Sequence, residues 1–239
     1  MSGARTAVPD GGPHWRPALL GEPSAEDGAG PGGGAVRCEL CPFRCRLRPG
    51  QTGTCQVRRN RAGRLETATF TASVAHLDAI ERKPFYHVRP GSPVLTVAGP
   101  GCTFACDYCV NHRLSQYGRE AGVRWTGAPA RPAELAARAA GHGAGLALSY
   151  AEPGLAPELT LALAEHARPL GVPLLWKSNG FLTPRAVDLV APALEAVNID
   201  VKAAEDAPHR RLTGAPLAPV LDALERFRAR GCGWRRARR

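Results

Sequence analysis

A chain of 239 residues, 44% of them hydrophobic, can bury one substantial core and carry a small appended module. It has no run of about eighteen apolar residues and no charged start leading into an apolar stretch, which argues against a membrane span and against secretion, and the cytoplasm is expected. The formal charge of +10 is almost all arginine, with lysine only at Lys83, Lys177 and Lys202, and the basic residues are scattered without interleaved aromatics, which argues against a nucleic-acid partner.

Residues 1–34 repeat Gly and Pro, ending in GAGPGGG, and show no apolar period, so a disordered leader is predicted there. A small Cys-rich module follows over 35–90. It holds Cys38, Cys41, Cys45 and Cys55 in the spacing C-x2-C-x3-C-x9-C, with Pro42, Gly50 and Gly53 suited to tight turns. Eight cysteines in a chain expected in a reducing compartment read as metal ligands or reactive thiols rather than disulfides. Four of them within eighteen residues suit a zinc ion or an iron–sulfur cluster, and the spacing alone does not choose between these; a set of inert reduced thiols is the third alternative.

Over 91–239 the pattern changes. Apolar, β-rich runs at 93–98, 145–150, 172–177 and 196–201 alternate with helical periods at 132–140, 156–167 and 184–194, the last opened by Thr183 ahead of Pro184. Such alternation predicts an α/β fold with a parallel sheet. An amphipathic helix over 216–230, with Leu217, Val220, Leu221, Leu224 and Phe227 at helical spacing, ends the periodic part.

Directly after the first of these strands come Cys102, Cys106 and Cys109, spaced C-x3-C-x2-C. Three thiolates on so short a loop can hold three irons of a cubane and leave the fourth open, whereas a structural zinc closes with four ligands. His112 is the local residue that could complete a zinc site instead. In parallel α/β folds ligands collect at the carboxyl ends of the strands, and each later strand ends in polar residues. Glu152 after the second is placed to accept from a ligand ammonium, or else is a surface carboxylate at a helix start. Lys177-Ser178-Asn179-Gly180 after the third is in the first instance a turn signal. Asp200 and Lys202 at the fourth fall on one face by strand alternation, as ligand contacts or as an internal ion pair.

With Tyr108 just before its last cysteine, the 102–109 loop resembles the radical SAM superfamily. The run CELCPFRCRLRPGQTGTCQVRRNRAGRL, followed by Lys83-Pro84-Phe85-Tyr86-His87, resembles more narrowly the radical SAM enzymes of the AmmeMemoRadiSam system, relatives of the pyruvate formate-lyase activating enzymes, over about Cys38 to Arg230. The resemblance implies a partial (β/α) barrel behind the small N-terminal module, with Lys83 and His87 packing the two together. It implies a 4Fe–4S cluster on Cys102, Cys106 and Cys109, with S-adenosylmethionine on the open iron. Tyr108, Glu152, Ser178, Asn179, Asp200 and Lys202 would border that cofactor, Glu152 at its amino group, and a small electron-donor protein would reduce the cluster. The substrate is left unidentified. A glycyl-radical-enzyme activase, acting on a backbone glycine of a partner protein, is an alternative, and a non-catalytic zinc module contacting RNA is another. The resemblance also implies further strands beyond the Arg-rich end at 232–239, so a C-terminally truncated or frame-shifted chain, with doubtful turnover, is expected.

Overall fold

The computed structural model describes residues 14–24, 34–119 and 127–232. The basic tail at 233–239 and the leader at 1–13 and 25–33 lie outside the described residues.

The N-terminal module is built from six short strands, β1 (Arg16–Pro17), β2 (Gly21–Pro23), β3 (Val36–Cys38), β4 (Arg46–Leu47), β5 (Arg58–Arg61) and β6 (Arg64–Thr67). They form two antiparallel three-stranded sheets, β2-β3-β4 and β1-β6-β5. Only two residues, Ala62 and Gly63, join β5 to β6, and both have positive φ, the conformation that matches the twist of a tight hairpin. Asn60 Oδ1 accepts the Gly63 N–H at 2.8 Å and its Nδ2 reaches Leu47 O on the other sheet at 2.8 Å, so one buried amide joins the two sheets.

The expected leader is corrected for residues 14–24. Arg59 lies over the Trp15 ring at 4.2 Å, Arg16 over Phe70 at 4.4 Å, and the Leu19 N–H donates to Glu158 at 2.7 Å. Two strands of two and three residues leave no alternation in the sequence, and their partners are far away along the chain, so composition alone hid them.

The larger part comprises β7 (Thr71–Ala72), β8 (Val74–Ala79), β9 (Pro93–Ala98), α1 (His112–Ser115), β10 (Ala128–Pro129), α2 (Pro132–Gly141), β11 (Gly145–Leu148), α3 (Pro157–Ala167), β12 (Leu174–Ser178), α4 (Pro184–Val190), β13 (Ala196–Ile199), α5 (Asp206–Thr213) and α6 (Ala218–Ala229). One sheet runs in the order β13-β12-β11-β9-β8; the first four strands are mutually parallel and β8 pairs antiparallel with β9 along the edge. Each new parallel strand is added beside its predecessor on the same side, so the order never reverses as it does in a doubly wound sheet. All four predicted strands and all four predicted helices are present, whereas β8 and α5 were not anticipated. The predicted 184–194 helix ends at Val190 and continues only as a 3-10 turn over Ala191–Ala193, where Pro192 lacks the N–H that an α-helix needs.

Strand alternation divides the core in two. Leu95, Val97, Leu146, Leu148, Leu174 and Trp176 face the helices, packing with Leu135, Leu159, Leu163, Val187, Val190 and Phe227. Val94, Ala147, Leu175 and Ala196 point the other way and meet Ile80 and Phe85. Arg226 and Arg230 tie α6 to Asp188 on α4, but these pairs are solvent-exposed and screened, so they contribute little. Full burial of Phe227 or Val220 contributes roughly 1.5–3 kcal/mol each, so packing decides where α6 sits.

Candidate functional site

β9 delivers the chain into Gly99-Pro100-Gly101-Cys102. Gly101 has φ +101°, and a Cβ there would stand 2.9 Å from Val57 Cγ1 and 3.2 Å from Cys55 O, so glycine is what lets this loop press against the N-terminal module. The Gly101 carbonyl accepts the Glu152 N–H at 3.1 Å, which ties the thiol loop to the end of β11. Arg119 clamps the loop from below, donating to Cys102 O at 2.7 Å, Phe104 O at 2.9 Å and Thr54 O at 2.9 Å. Phe104 N–H points at Cys102 Sγ (3.4 Å), and Cys109 Sγ lies 3.3 Å from Ser115 Oγ. Burial, then the nearby Glu152 carboxylate, pushes the Cys102 thiol up to about 12. Burial also raises the Cys106 thiol, opposed by the Lys202 ammonium.

Glu152 is buried, and burial raises its carboxyl above the usual range in spite of three donors that favour the charge. Oε1 accepts from Ser178 Oγ at 2.6 Å and the Gly154 N–H at 2.7 Å, and Oε2 accepts the Asn179 N–H at 2.8 Å. Asn179 Nδ2 then donates to Thr103 Oγ1 at 2.9 Å and approaches Cys102 Sγ at 3.5 Å. Ser178 and Asn179 therefore stand as the supports of Glu152 and as its link to the thiol loop.

The third group follows β13. The strand stops at Ile199, two residues short of its predicted end, so Asp200 and Lys202 occupy the loop beyond it. Lys202 Nζ donates to Asp200 Oδ2 at 2.9 Å, and Lys177, from β12, pairs with Oδ1 of the same carboxylate. Burial alone would raise the Asp200 carboxyl, but the two lysines hold it below the usual range. Tyr108 is half exposed, hydrogen-bonds Cys106 and lies in the field of Lys202 and Asp200. All predicted residues of this site are thus gathered at the carboxyl ends of β9, β11, β12 and β13.

Lys83 is placed differently from expectation. Its side chain is buried, donating to Asp78 Oδ2 at 2.8 Å and to the Tyr150 hydroxyl Oη at 2.6 Å, so it joins β8 to the β11 loop inside the large sheet; His87 is exposed. The module is instead held by Arg58 on Glu158 of α3 and by Thr183, which donates to Glu39 O at 2.7 Å. Sequence reasoning missed Lys177, Thr103, Arg119 and Arg58. One signal was available for the first: in so arginine-rich a chain all three lysines are buried or half-buried, with side-chain exposures of 2%, 18% and 24% for Lys83, Lys177 and Lys202, and the last two meet on one carboxylate.

Among the described residues, no three His, Cys, Asp or Glu side chains converge on a single ion. His112 is exposed at the start of α1. The donor set at Cys102, Cys106 and Cys109 is three sulfurs, the chemistry of an iron–sulfur cluster, and a cubane spreads its thiolates wider than the roughly 4 Å between sulfurs that Zn–S bonds of about 2.3 Å impose. The residues fit such a cluster. No helix among the described residues is long and apolar enough to cross a membrane.

The family model of the radical SAM superfamily matches residues 96–234, more than half of the chain and all three strand-end groups described above. An uncharacterized protein of Methanocaldococcus jannaschii is 31% identical over 192 residues, which cover 80% of this chain and 56% of that protein. The chain therefore spans about half the length of this relative. Loop, sheet and family match agree, and the chain belongs to the radical SAM superfamily.

Proposed function

We propose that this chain is the core of a radical SAM enzyme of the AmmeMemoRadiSam type, built on a partial (β/α) barrel, in which Cys102, Cys106 and Cys109 hold a 4Fe–4S cluster. The observation that carries the reading is the meeting of the three-thiol loop with the caged Glu152 and the Asp200–Lys202–Lys177 group at the ends of consecutive parallel strands. When bound, the cluster and S-adenosylmethionine supply a one-electron cleavage of the sulfonium that yields a 5′-deoxyadenosyl radical, which takes hydrogen from the substrate.

The chain's own residues bind and orient. A carboxylate offers about four acceptor positions, and three donors already engage Glu152, so one direction remains open for the cofactor's ammonium in a fixed orientation. Ser178 and Asn179 keep that orientation, and the Thr103–Asn179 bond keeps it in register with Cys102. Lys202 has donors to spare after its bond to Asp200 and would be available to the cofactor's carboxylate, while Asp200, held by two lysines, would accept from its ribose hydroxyls. Tyr108, beside Cys106, would border the bound cofactor. A small one-electron carrier protein reduces the cluster, and the substrate, a protein glycine or another group, binds beside it. This reading also places the protein in the cytoplasm.

Anaerobic reconstitution with iron and sulfide tests it. Reduction in the presence of S-adenosylmethionine should give 5′-deoxyadenosine, and adding the cofactor should change the electron paramagnetic resonance of the reduced cluster. An unchanged spectrum together with no 5′-deoxyadenosine would sink the reading.

A further inference from the structure

The stretch Lys83-Pro84-Phe85 lies across the inner face of the large sheet, between the groups that follow β11 and β13. Val94, Ala147, Leu175 and Ala196 point to that face, and Ile80 and Phe85 pack onto them, so the turn Ile80–Arg82 and the residues after it are held against the sheet by apolar contact. Lys83 and Pro84 stand between these two anchors. Asp78, opposite Val94, shares the face, as do Lys177 and Asn198, each two residues beyond Leu175 and Ala196 on their strands.

One arm reaches the Glu152 group. Lys83 Nζ donates to Tyr150 Oη at 2.6 Å and stands 4.0 Å from the centre of its ring, while Asp78 Oδ2 accepts from Lys83 at 2.8 Å and from the Tyr150 hydroxyl at 3.3 Å. The His76 ring stacks on Tyr150 at 5.7 Å. This grip bears on the backbone, because Tyr150 has φ +69°, where a bulky side chain is rare. Such a residue persists only where its surroundings over-determine it, and strained positions of this kind gather at binding sites. The turn it makes brings the Ala151 N–H to Ser149 O at 2.9 Å and the Glu152 N–H to Gly101 O at 3.1 Å, so what holds Tyr150 also aims Glu152. The other arm reaches the Asp200 group. Pro84 O accepts from Asn198 Nδ2 at 3.2 Å, Asn198 Oδ1 accepts from Lys177 Nζ at 2.7 Å, and Lys177 pairs with Asp200.

We propose that Lys83 and Pro84 form a two-armed brace, and that Lys83, Tyr150 and Asn198 are positioning residues that fix the Glu152 carboxylate and the Asp200–Lys202 pair relative to each other, so that one ligand engages both. The inference rests on the function proposed above, since only a ligand spanning the two groups makes their separation matter. Cutting either arm loosens a different loop and weakens the same ligand.

The test compares Lys83→Met and Asn198→Leu in the anaerobically reconstituted full chain. In the first, Asp78 keeps Arg82 at 3.2 Å and His76 at 3.4 Å; in the second, Lys177 keeps Asp200. Before cofactor is added, hydrogen exchange read by mass spectrometry should quicken across 149–155 in Lys83→Met and across 198–203 in Asn198→Leu, with 93–98 unchanged in both. In both, the S-adenosylmethionine concentration that changes the spectrum of the reduced cluster should rise about 10- to 100-fold, as when groups that orient a ligand's contacts are removed. Should Lys83→Met fail to fold, Tyr150→Phe removes only the hydroxyl and should give the same exchange pattern with a rise of roughly 5-fold. Exchange that quickens equally over 93–98 would mean that these residues only stabilise the fold, and would overturn the proposal. A parent that does not respond to S-adenosylmethionine sinks the function and this inference together; a parent that responds, with variants responding at the same concentration, sinks this inference alone.

Discussion

The chain holds its thiols in two regions that differ in closure. Around Cys38, Cys41, Cys45 and Cys55 the walls are mostly apolar, with Arg58 and Thr103 among them, the strands are two to four residues long, and four thiols line one small cavity. Around Cys102, Cys106 and Cys109 there are three sulfurs, with Glu152 near Cys102 and with Tyr108 and Lys202 near Cys106. A site with all its ligands supplied by protein stabilises a fold or stores an electron, whereas a site short of one ligand can admit a reactant. The local sequences are alike, since both have closely spaced cysteines and N–H···S bonds from the second residue onward, so the difference in role comes from what the tertiary fold brings to the missing corner.

The sharpest way to break that contrast is to remove one thiol from each region. Cys109→Ala should abolish 5′-deoxyadenosine formation and the cofactor-induced spectral change, with the melting temperature nearly unaltered. Cys41→Ala should do the reverse, lowering the melting temperature while the 102–109 loop still assembles its cluster. If both variants lost stability equally and kept activity equally, the two regions would not differ in role.

Next in size is the join between the closed region and the large sheet. Arg58→Met leaves the Glu158 carboxylate buried without its partner, and breaking a buried pair from one side costs about 3–5 kcal/mol. For a chain of this length that is a fall of roughly 6–20 °C in melting temperature. Adding Glu158→Leu should restore much of the loss, because a pair replaced by packed apolar groups is nearly neutral. A double variant no better than the single one would show that Arg58 acts through something other than Glu158.

Within the open region, Glu152→Gln keeps the shape and removes the charge. Losing a charge-assisted hydrogen bond to the cofactor costs about 1.5–3 kcal/mol, so S-adenosylmethionine should bind roughly 10- to 150-fold more weakly by equilibrium titration. Stability should change little by comparison, since burial already disfavours the ionised carboxyl and one of its three donors is all that the amide fails to accept. Unchanged affinity would mean that Glu152 only braces the loop.

Much of the open region could be read from the sequence, and little of the closed one. β9 and β11 are buried, nearly continuous apolar runs and β12 and β13 open on apolar residues, and polar residues gather where these runs stop; that is why Glu152, Ser178, Asn179, Asp200 and Lys202 could be picked out. The support for those residues could not. Thr103 on Asn179, Lys177 on Asp200 and Arg119 across the loop are tertiary contacts with no local periodicity to announce them. In the closed region β1 and β2 have no alternation, and the cysteine spacing fixed the donors without fixing the size of the gap between them.

The smallest effect concerns the seam where the two regions touch. Gly101→Ala introduces a methyl 2.9 Å from Val57 Cγ1 and holds alanine at φ +101°, so the cost has a steric and a backbone part. Val57→Ala in the same chain removes the methyls in question and leaves the 3.2 Å contact with Cys55 O and the backbone part, the latter about 1–2 kcal/mol. Denaturant midpoints of the two single variants and the double variant separate these contributions, because residues in contact are coupled and the deviation from additivity measures the contact. The seam also passes beside Cys55 O at 3.2 Å, so a steric clash at Gly101 should disturb the thiols of both regions. The single variant should therefore shift the spectrum of the reconstituted 102–109 site and raise the reactivity of Cys55 toward a thiol reagent, and the double variant should return both part of the way toward the parent. A shift confined to the 102–109 loop would show that the two regions are adjacent without being mechanically joined.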